Sequence, residues 1–409
     1  MQLKKRYNGI IGILKKLYFT YTKDRLSVHQ IFQRSDLMNK KVLILSASTG
    51  AGHNRAARAV QEEIEAQGMN CIVVDSLKFV NKMVDKVISK GYETSALYTP
   101  AAYGQMYKIS DTKVIRKGMD KNLLLRYIMK RLLKLIDEES PDFILATHPF
   151  PTMAVSKLKE KSWVGAPLYE IVTDYTVHSA HISKEVDGYI VADEYVESLL
   201  ELSGVPPKKI FSFGIPIEKH FLTPVDTTEF RKEMDIQDKF TVLLMGGSFG
   251  AGNITDVLKE LMNISEDIQI IIVCGRNEAL YQKVKRYLGY YNSSKNIVLL
   301  GFTEKMNYLM SVSDCILTKP GGLTATECIL KELPMVIPFY IPGQEKENLD
   351  FLLNNGLAIK PGKTTDLEVI IKTLYKYPEK LERIRSSMRY AKKENSAKKI
   401  ADHIIQHKF

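Results

Sequence analysis

Thr318-Lys319-Pro320-Gly321-Gly322-Leu323-Thr324-Ala325-Thr326-Glu327 follows directly on the apolar run Cys315-Ile316-Leu317, and the reading of this stretch decides the fold. An apolar run of strand length that ends in glycines and passes at once into a helical pattern reads as a strand, a tight loop and a helix that continues to about Glu332. The same arrangement recurs on both sides. Upstream, an apolar strand ending at Leu300 delivers Gly301-Phe302-Thr303-Glu304; downstream, the strand over residues 335–338 ends in Tyr340-Ile341-Pro342-Gly343-Gln344-Glu345-Lys346-Glu347-Asn348. Successive strand ends therefore bring polar, glycine-bearing loops to one edge of a parallel sheet, the edge at which open α/β sheets hold ligands.

The residues in these loops suit a nucleotide sugar. Pro320-Gly321-Gly322 lets backbone approach a ligand closely, and the helix that follows aims its free N–H groups and positive dipole end at the same place, as a diphosphate requires. Thr324 and Glu327 lie in the first turns of that helix, where an ionised Glu327 carboxylate can accept from vicinal ribose hydroxyls. Gln344, Glu345 and Asn348 offer donors and acceptors for sugar hydroxyls, and Phe302, beside Thr303, can cover one face of a flat base. Each glycine loop taken alone is equally well read as a tight connection.

The segments Thr318 to Glu327 and Gln344 to Asn348, together with Gly246-Gly247, resemble the donor half of two-domain lipid glycosyltransferases, the processive diacylglycerol glucosyltransferases and monogalactosyldiacylglycerol synthases. The resemblance extends over about residues 41 to 400. It implies a GT-B type fold, in which two Rossmann-like α/β domains face a cleft. It also implies a UDP-hexose donor, either UDP-glucose or UDP-galactose, a diacylglycerol or glycosylated diacylglycerol acceptor, and no cofactor beyond the donor substrate. The expected organisation is a basic amphipathic extension (1–40), an acceptor domain (41–220), a donor domain (221–390) and, by resemblance, a last helix (391–409) that crosses back to the first domain.

Composition agrees with a globular chain that meets anions. Its 409 residues are 45% hydrophobic and 26% charged, with a net charge of +11. Cys71, Cys274, Cys315 and Cys328 stand singly in apolar surroundings, with no Cys-x-x-Cys pair, and read as buried thiols of a reducing compartment. No run of about 18 apolar residues spans a bilayer. The first forty residues carry Lys4, Lys5, Arg6, Lys15 and Lys16 around Ile10, Ile13, Leu14, Leu17, Tyr18 and Tyr21 at helical spacing, which suits an anionic membrane surface; a helix packed on the body is the alternative. The expectation is a peripheral protein of the cytoplasmic face of the cell membrane.

In chain order, the strand over residues 41–46 runs into Ala47-Ser48-Thr49-Gly50-Ala51-Gly52-His53-Asn54 and a helix. The loop has no Gly-Lys-Ser/Thr, and Arg55 stands where a dinucleotide fingerprint needs its third small residue. It resembles instead the glycine-rich acceptor-side loop of the lipid glycosyltransferases, which places Gly52 and His53 beside the cleft. Residues 80–135 mix basic residues with tyrosines, and Tyr98 through Tyr107, including Tyr103, resembles an acceptor loop. Such a mixture also suits single-stranded nucleic acid, but no RNA-binding signature interrupts the pattern, and no nucleic-acid partner is expected. His148, Asp174 and His178 end later strands on the same side; His178 and His181 lack a third ligand at metal spacing, so no metal site is expected. Gly246-Gly247-Ser248 and Arg276 follow strands of the second half, within reach of a diphosphate.

These parts define transfer of a hexose across the cleft with inversion. No Asp-x-Asp occurs in the chain, so loop amides, the helix end after Gly322 and Arg276 replace a metal clamp. His53 is the expected base, with Asp174 in reserve. The rival readings are an N-acetylglucosaminyltransferase acting on a polyprenyl-linked cell-wall precursor, a UDP-N-acetylglucosamine epimerase, and a non-catalytic UDP-sugar sensor at a membrane surface.

Overall fold

The computed structural model describes residues 40–48, 51–80, 123–247, 252–290 and 295–406. The expected extension, apart from Lys40, lies outside them, as do Tyr103 and Ser248.

The first half alternates strands and helices: β1 (Lys41–Ser46), α1 (Ala51–Ala66), β2 (Asn70–Asp75), α2 (Ser76–Val80), α3 (Leu123–Glu139), β3 (Phe143–Ala146), α4 (Pro149–Glu160), β4 (Leu168–Ile171), β5 (Gly188–Ile190), α5 (Glu194–Leu202) and β6 (Ile210–Phe211). The second half repeats the pattern: α6 (Thr228–Glu233), β7 (Thr241–Met245), α7 (Ile254–Asn263), β8 (Gln269–Val273), α8 (Glu278–Tyr290), β9 (Ile297–Leu300), α9 (Met306–Ser311), β10 (Cys315–Leu317), α10 (Gly322–Leu330), β11 (Met335–Val336), α11 (Gln344–Asn354), β12 (Ala358–Ile359), α12 (Leu367–Lys376), α13 (Pro378–Ala391) and α14 (Ser396–Gln406). The central strands are continuous apolar runs, as sheets covered on both faces require: β3, β4, β7 and β8 are buried throughout. Helix starts follow local chemistry. Asp193 Oδ1 accepts from Tyr195 N at 3.0 Å and Asp366 Oδ1 from Val369 N at 2.9 Å, while α4 and α13 open on prolines, whose missing N–H is an orphan at that position anyway.

The strand orders are β2-β1-β3-β4-β5-β6 and β12-β11-β10-β7-β8-β9, and the pairings are parallel. Chain direction across the first sheet reverses between β1 and β3, and across the second between β7 and β10. Those two reversal points open crevices at the carboxyl ends of the strands, and the loops that line them carry His53 and His148 on one side and Gly247 and Pro320 to Gly322 on the other.

One detail differs from the sequence reading. Helix α10 stops at Leu330, not near Glu332, because Glu332 takes a left-handed φ of 53° and Pro334 follows. The stretch between the two sheets is packed: Ile215, Ile217 and Phe221 are buried, and the Arg55 guanidinium lies 5.4 Å from the Phe221 ring centroid. Helix α14 leaves the second half and buries Ile400, Ala401 and Ile404 among Val42, Ile44, Ala57 and Val60 of the first, with Gln67 Nε2 donating to Asp402 Oδ1 at 2.9 Å. Each such isoleucine contributes ~1.5–3 kcal/mol of burial, so the end of the chain belongs to the core of its beginning.

Candidate active site

His53 stands in the first turn of α1, at the crevice of the first sheet. Its Nδ1 is 2.6 Å from the Thr147 carbonyl oxygen and 3.1 Å from Thr173 Oγ1, while Thr147 Oγ1 donates to the His53 carbonyl at 3.1 Å. A carbonyl only accepts, so Nδ1 carries the proton and Nε2 keeps the lone pair. Burial holds His53 below the ordinary histidine value, against the opposing pull of the Asp174 carboxylate and the Thr147 carbonyl. A neutral imidazole, fixed in one tautomer by backbone, is ready to accept a proton at Nε2.

The other histidines serve the scaffold. His148 caps α4, its Nδ1 accepting from Phe150 N at 3.1 Å, and its ring meets His53 edge-on with centroids 4.7 Å apart. Burial, with His53 and His181 beside it, keeps it well below the ordinary value and hence neutral. His178 Nδ1 accepts from Ala180 N at 3.1 Å and caps the turn 179–181. His181 turns inward, with Nδ1 2.7 Å from Oε1 of the fully buried Glu170. His178 and His181, close in sequence, are thus committed to different tasks.

Across the cleft, the amides read as sugar ligands hold the reserve acid instead. Asn348 Nδ2 donates to Asp174 Oδ1 at 2.8 Å and to the Pro320 carbonyl at 3.1 Å, and its Oδ1 accepts from Tyr175 N at 2.9 Å. Gln344 Nε2 donates to Asp174 Oδ2. Asn348 is 0% exposed, and its amide is spent within the protein. Tyr175 adds to the seam: its hydroxyl is 2.8 Å from Thr326 Oγ1 and its ring stacks on Phe351 at 4.6 Å. The Asp174 side chain is thus clamped by two amides at the seam it shares with His53.

Helix α10 reaches the same seam from the second half. A Cβ built on Gly322 would stand 2.0 Å from the Thr173 carbonyl oxygen, and one on Gly52 would stand 3.6 Å from Leu323 Cδ1, so the first turns of α1 and α10 meet across the cleft. Thr324 is half-buried in that turn. Glu327, 2% exposed, is ion-paired to Arg55 Nη2, and the same guanidinium pairs with Glu218 at 2.8 Å. Burial raises the Glu327 pKa and Arg55 opposes the rise. For Glu327 to take a ribose, as its position suggests, this pair must exchange for hydroxyls.

The remaining donor-side residues fall into two groups. At the reversal point, Gly247 has a φ of +71°, and the Lys319 ammonium, ion-paired to Glu345 Oε1, lies beside it; Glu345 Oε2 accepts from Ile341 N at 2.8 Å. Beyond β8 and β9, Arg276 lies over the Phe302 ring at 4.7 Å, with Phe302 56% exposed and Thr303 Oγ1 accepting from Lys305 N at 3.0 Å. Arg276, expected within reach of the diphosphate, lies over the exposed ring expected to cover a base.

A profile for monogalactosyldiacylglycerol (MGDG) synthase matches residues 53–217, and one for the glycosyltransferase family 28 C-terminal domain matches residues 241–406. A processive diacylglycerol beta-glucosyltransferase of Bacillus pumilus (strain SAFR-032) is 31% identical over 370 residues, covering 90% of this chain and 95% of that protein. The chain belongs to the processive diacylglycerol glucosyltransferase family. A member from Bacillus cereus (strain G9842) is 32% identical over 346 residues, covering 82% of this chain and 85% of its own. Among solved structures, Acinetobacter baumannii MurG superposes with a TM-score of 0.60 at 16% identity, covering 90% of this chain and all (100%) of that one. The UDP-GlcNAc 2-epimerase from Neisseria meningitidis bound to UDP-GlcNAc gives 0.58 at 15%, with coverage of 90% and 100%. At such identities these likenesses show the shared GT-B fold.

For this glycosyltransferase family member, sequence reasoning missed Arg55, Glu170, Glu218 and Lys319. Lys319 had a signal, being the cation at the strand end that opens the glycine loop. The pairing of Arg55 with Glu327 had none, since it joins residues of different halves of the chain.

Proposed function

We propose that this protein moves a hexose from a UDP-sugar to diacylglycerol at the membrane surface, inverting the anomeric centre without a metal, and so makes glycolipid. The observation that carries this reading is the His53 tautomer, with Nδ1 committed to the Thr147 carbonyl 2.6 Å away and Nε2 left as the acceptor at the seam between α1 and α10. The acceptor hydroxyl oxygen forms the bond to the anomeric carbon, its proton passes to Nε2, and the bond to the β-phosphate oxygen breaks with its electron pair on that oxygen. Asp174, held by Gln344 and Asn348, stabilises the imidazolium that forms. The decisive experiment incubates the protein, in buffer containing chelator, with diacylglycerol and UDP-glucose, UDP-galactose or UDP-N-acetylglucosamine in turn. A glucosyl or galactosyl lipid supports the reading. No lipid product from any donor, or a requirement for divalent metal, overturns it.

Glu327 gives a second test. Glu327→Ala is expected to weaken UDP binding by about 1.5–3 kcal/mol, the worth of hydrogen bonds to a charged group, as read by calorimetry. Unchanged affinity would remove Glu327 from the ribose.

Diacylglycerol stays in its bilayer, so the enzyme works as a peripheral protein on the cytoplasmic face. Among the described residues no helix is long and apolar enough to cross a membrane. Helix α3 buries Ile128, Leu132, Leu135 and Ile136 and exposes Arg126, Tyr127, Lys130 and Lys134. Each basic group near an anionic surface contributes about 1 kcal/mol, screened over ~10 Å at 0.1 M salt. Vesicle sedimentation is therefore expected to rise with anionic lipid, fall with salt, and weaken in Arg126→Glu/Lys130→Glu/Lys134→Glu with UDP affinity intact. Equal binding to neutral and anionic vesicles would reduce this surface to a solvated face.

A further inference from the structure

Loss of UDP leaves one more negative charge on the diphosphate than the sugar ester carried, and a mechanism without metal must place a cation there. Two cations follow strands of the second sheet, Arg276 and Lys319, and the fold separates them. Arg276 follows β8 and leans on Phe302, 4.7 Å from its ring centroid. Lys319 follows β10, one of the two strands that flank the reversal point of the sheet. Its side chain fills the space that two glycines leave open. A Cβ built on Gly247 would stand 2.9 Å from Lys319 Cε and 3.9 Å from Nζ, and one built on Gly321, at the start of α10, would stand 3.8 Å from the same Nζ. The ammonium is therefore held between the glycine after β7 and the N-terminus of α10, the two backbone features that together suit a diphosphate.

Glu345 explains how it is held. Its Oε1 pairs with Lys319 Nζ and its Oε2 accepts from Ile341 N at 2.8 Å, so the carboxylate is anchored by backbone and in turn anchors the lysine. Glu345 is nearly buried, and the Lys319 side chain keeps 22% of its exposure, enough for a ligand to reach the ammonium from the open side.

We propose that Lys319 is the catalytic cation that takes up the charge of the departing diphosphate, and that Glu345 is the positioning residue that aims it. This rests on the UDP-sugar reading above. In the step itself Lys319 stays protonated: the anomeric carbon exchanges its bond to the β-phosphate oxygen for one to the acceptor oxygen, the electron pair of the broken bond remains on the phosphate, and the acceptor proton goes to His53. Lysine contributes charge alone.

Calorimetry with UDP and with uridine, on wild type, Lys319→Met and Lys319→Arg, tests this together with steady-state kinetics. Wild type is expected to bind UDP more tightly than uridine. Lys319→Met is expected to lose that difference while keeping its uridine affinity, and to lose about 100- to 1,000-fold in kcat, the usual cost of removing one preorganised charge-stabilising donor. Lys319→Arg, which restores the charge, is expected to recover part of both. Glu345→Gln is expected to lower kcat more than UDP affinity, since it leaves the ammonium present but loosely aimed. A UDP preference that survives intact in Lys319→Met would overturn the assignment of Lys319 alone. So would an equal loss of uridine affinity, which marks a collapsed site and not a missing charge. A wild-type protein that binds UDP no better than uridine would overturn the donor reading and this proposal with it.

Discussion

His53→Ala is expected to lower kcat by about 100- to 10,000-fold, the range over which a positioned general base acts, with UDP affinity unchanged. The imidazole belongs to the first domain and hangs from the Thr147 carbonyl and Thr173 hydroxyl, neither of which belongs to the donor side. Its removal therefore takes away the proton acceptor and nothing that holds nucleotide. The pH profile gives the sign independently. Burial disfavours imidazolium, so the folded pKa lies below the ordinary 6.5, and the neutral, active form persists to lower pH than a free histidine allows. The acid limb of kcat in the wild type should fall below that ordinary value, and it should vanish from the residual activity of His53→Ala. Steady-state kinetics across pH with UDP calorimetry alongside would check both. An unchanged kcat would pass the role of base to Asp174, whose oxygens would then have to be released by Gln344 and Asn348.

The parts of this molecule that were legible in the sequence are those written locally. Cys315 to Leu317 followed by Pro320-Gly321-Gly322 announces a strand, a loop and a helix within a dozen positions, because strand apolarity, glycine freedom and helix periodicity are near-neighbour properties. Repetition of that unit gave the two parallel sheets and the edge where the site lies. Partnerships across the cleft were not legible. Gln344 and Asn348 carry the right chemistry for sugar hydroxyls, yet in the fold they close on Asp174, 170 and 174 positions away, and no periodicity reports so distant a neighbour. Glu327 is placed at its turn of α10 by local pattern, but the identity of its ion partner depends on how α1 meets α10. Arg276 is similar: its type and strand position suited a phosphate, while its place over the Phe302 ring depends on the neighbouring strands β8 and β9.

The meeting of α1 and α10 makes its own prediction at Gly322. Within α10 alone, alanine is the better residue, by up to about 1 kcal/mol of helix propensity, and the backbone there is ordinary helix. The obstacle lies across the cleft. A methyl carbon on this residue would stand 2.0 Å from the Thr173 carbonyl oxygen, 3.0 Å from its carbon and 3.1 Å from Asp174 Cα, and these are backbone atoms that cannot rotate aside. Gly322→Ala must therefore hold the domains apart by something on the order of 1 Å, a misplacement that costs about 100-fold when reacting groups sit on opposite sides. The contacts that would loosen with it are the Asn348 and Gln344 bonds to Asp174, the Tyr175 hydroxyl against Thr326, and the Arg55 pair with Glu327. The strand pairings lie within each sheet and are untouched by the methyl, so both halves should still fold. The methyl points at the first domain and not at the glycine loop, so UDP affinity should also hold. Kinetics and calorimetry on this one variant, with thermal melting to check that it folds, would then show a loss confined to kcat. Wild-type turnover in Gly322→Ala would mean that this contact is not part of the reacting arrangement, and a matching loss of UDP affinity would mean that the methyl obstructs the diphosphate and not the closure of the cleft.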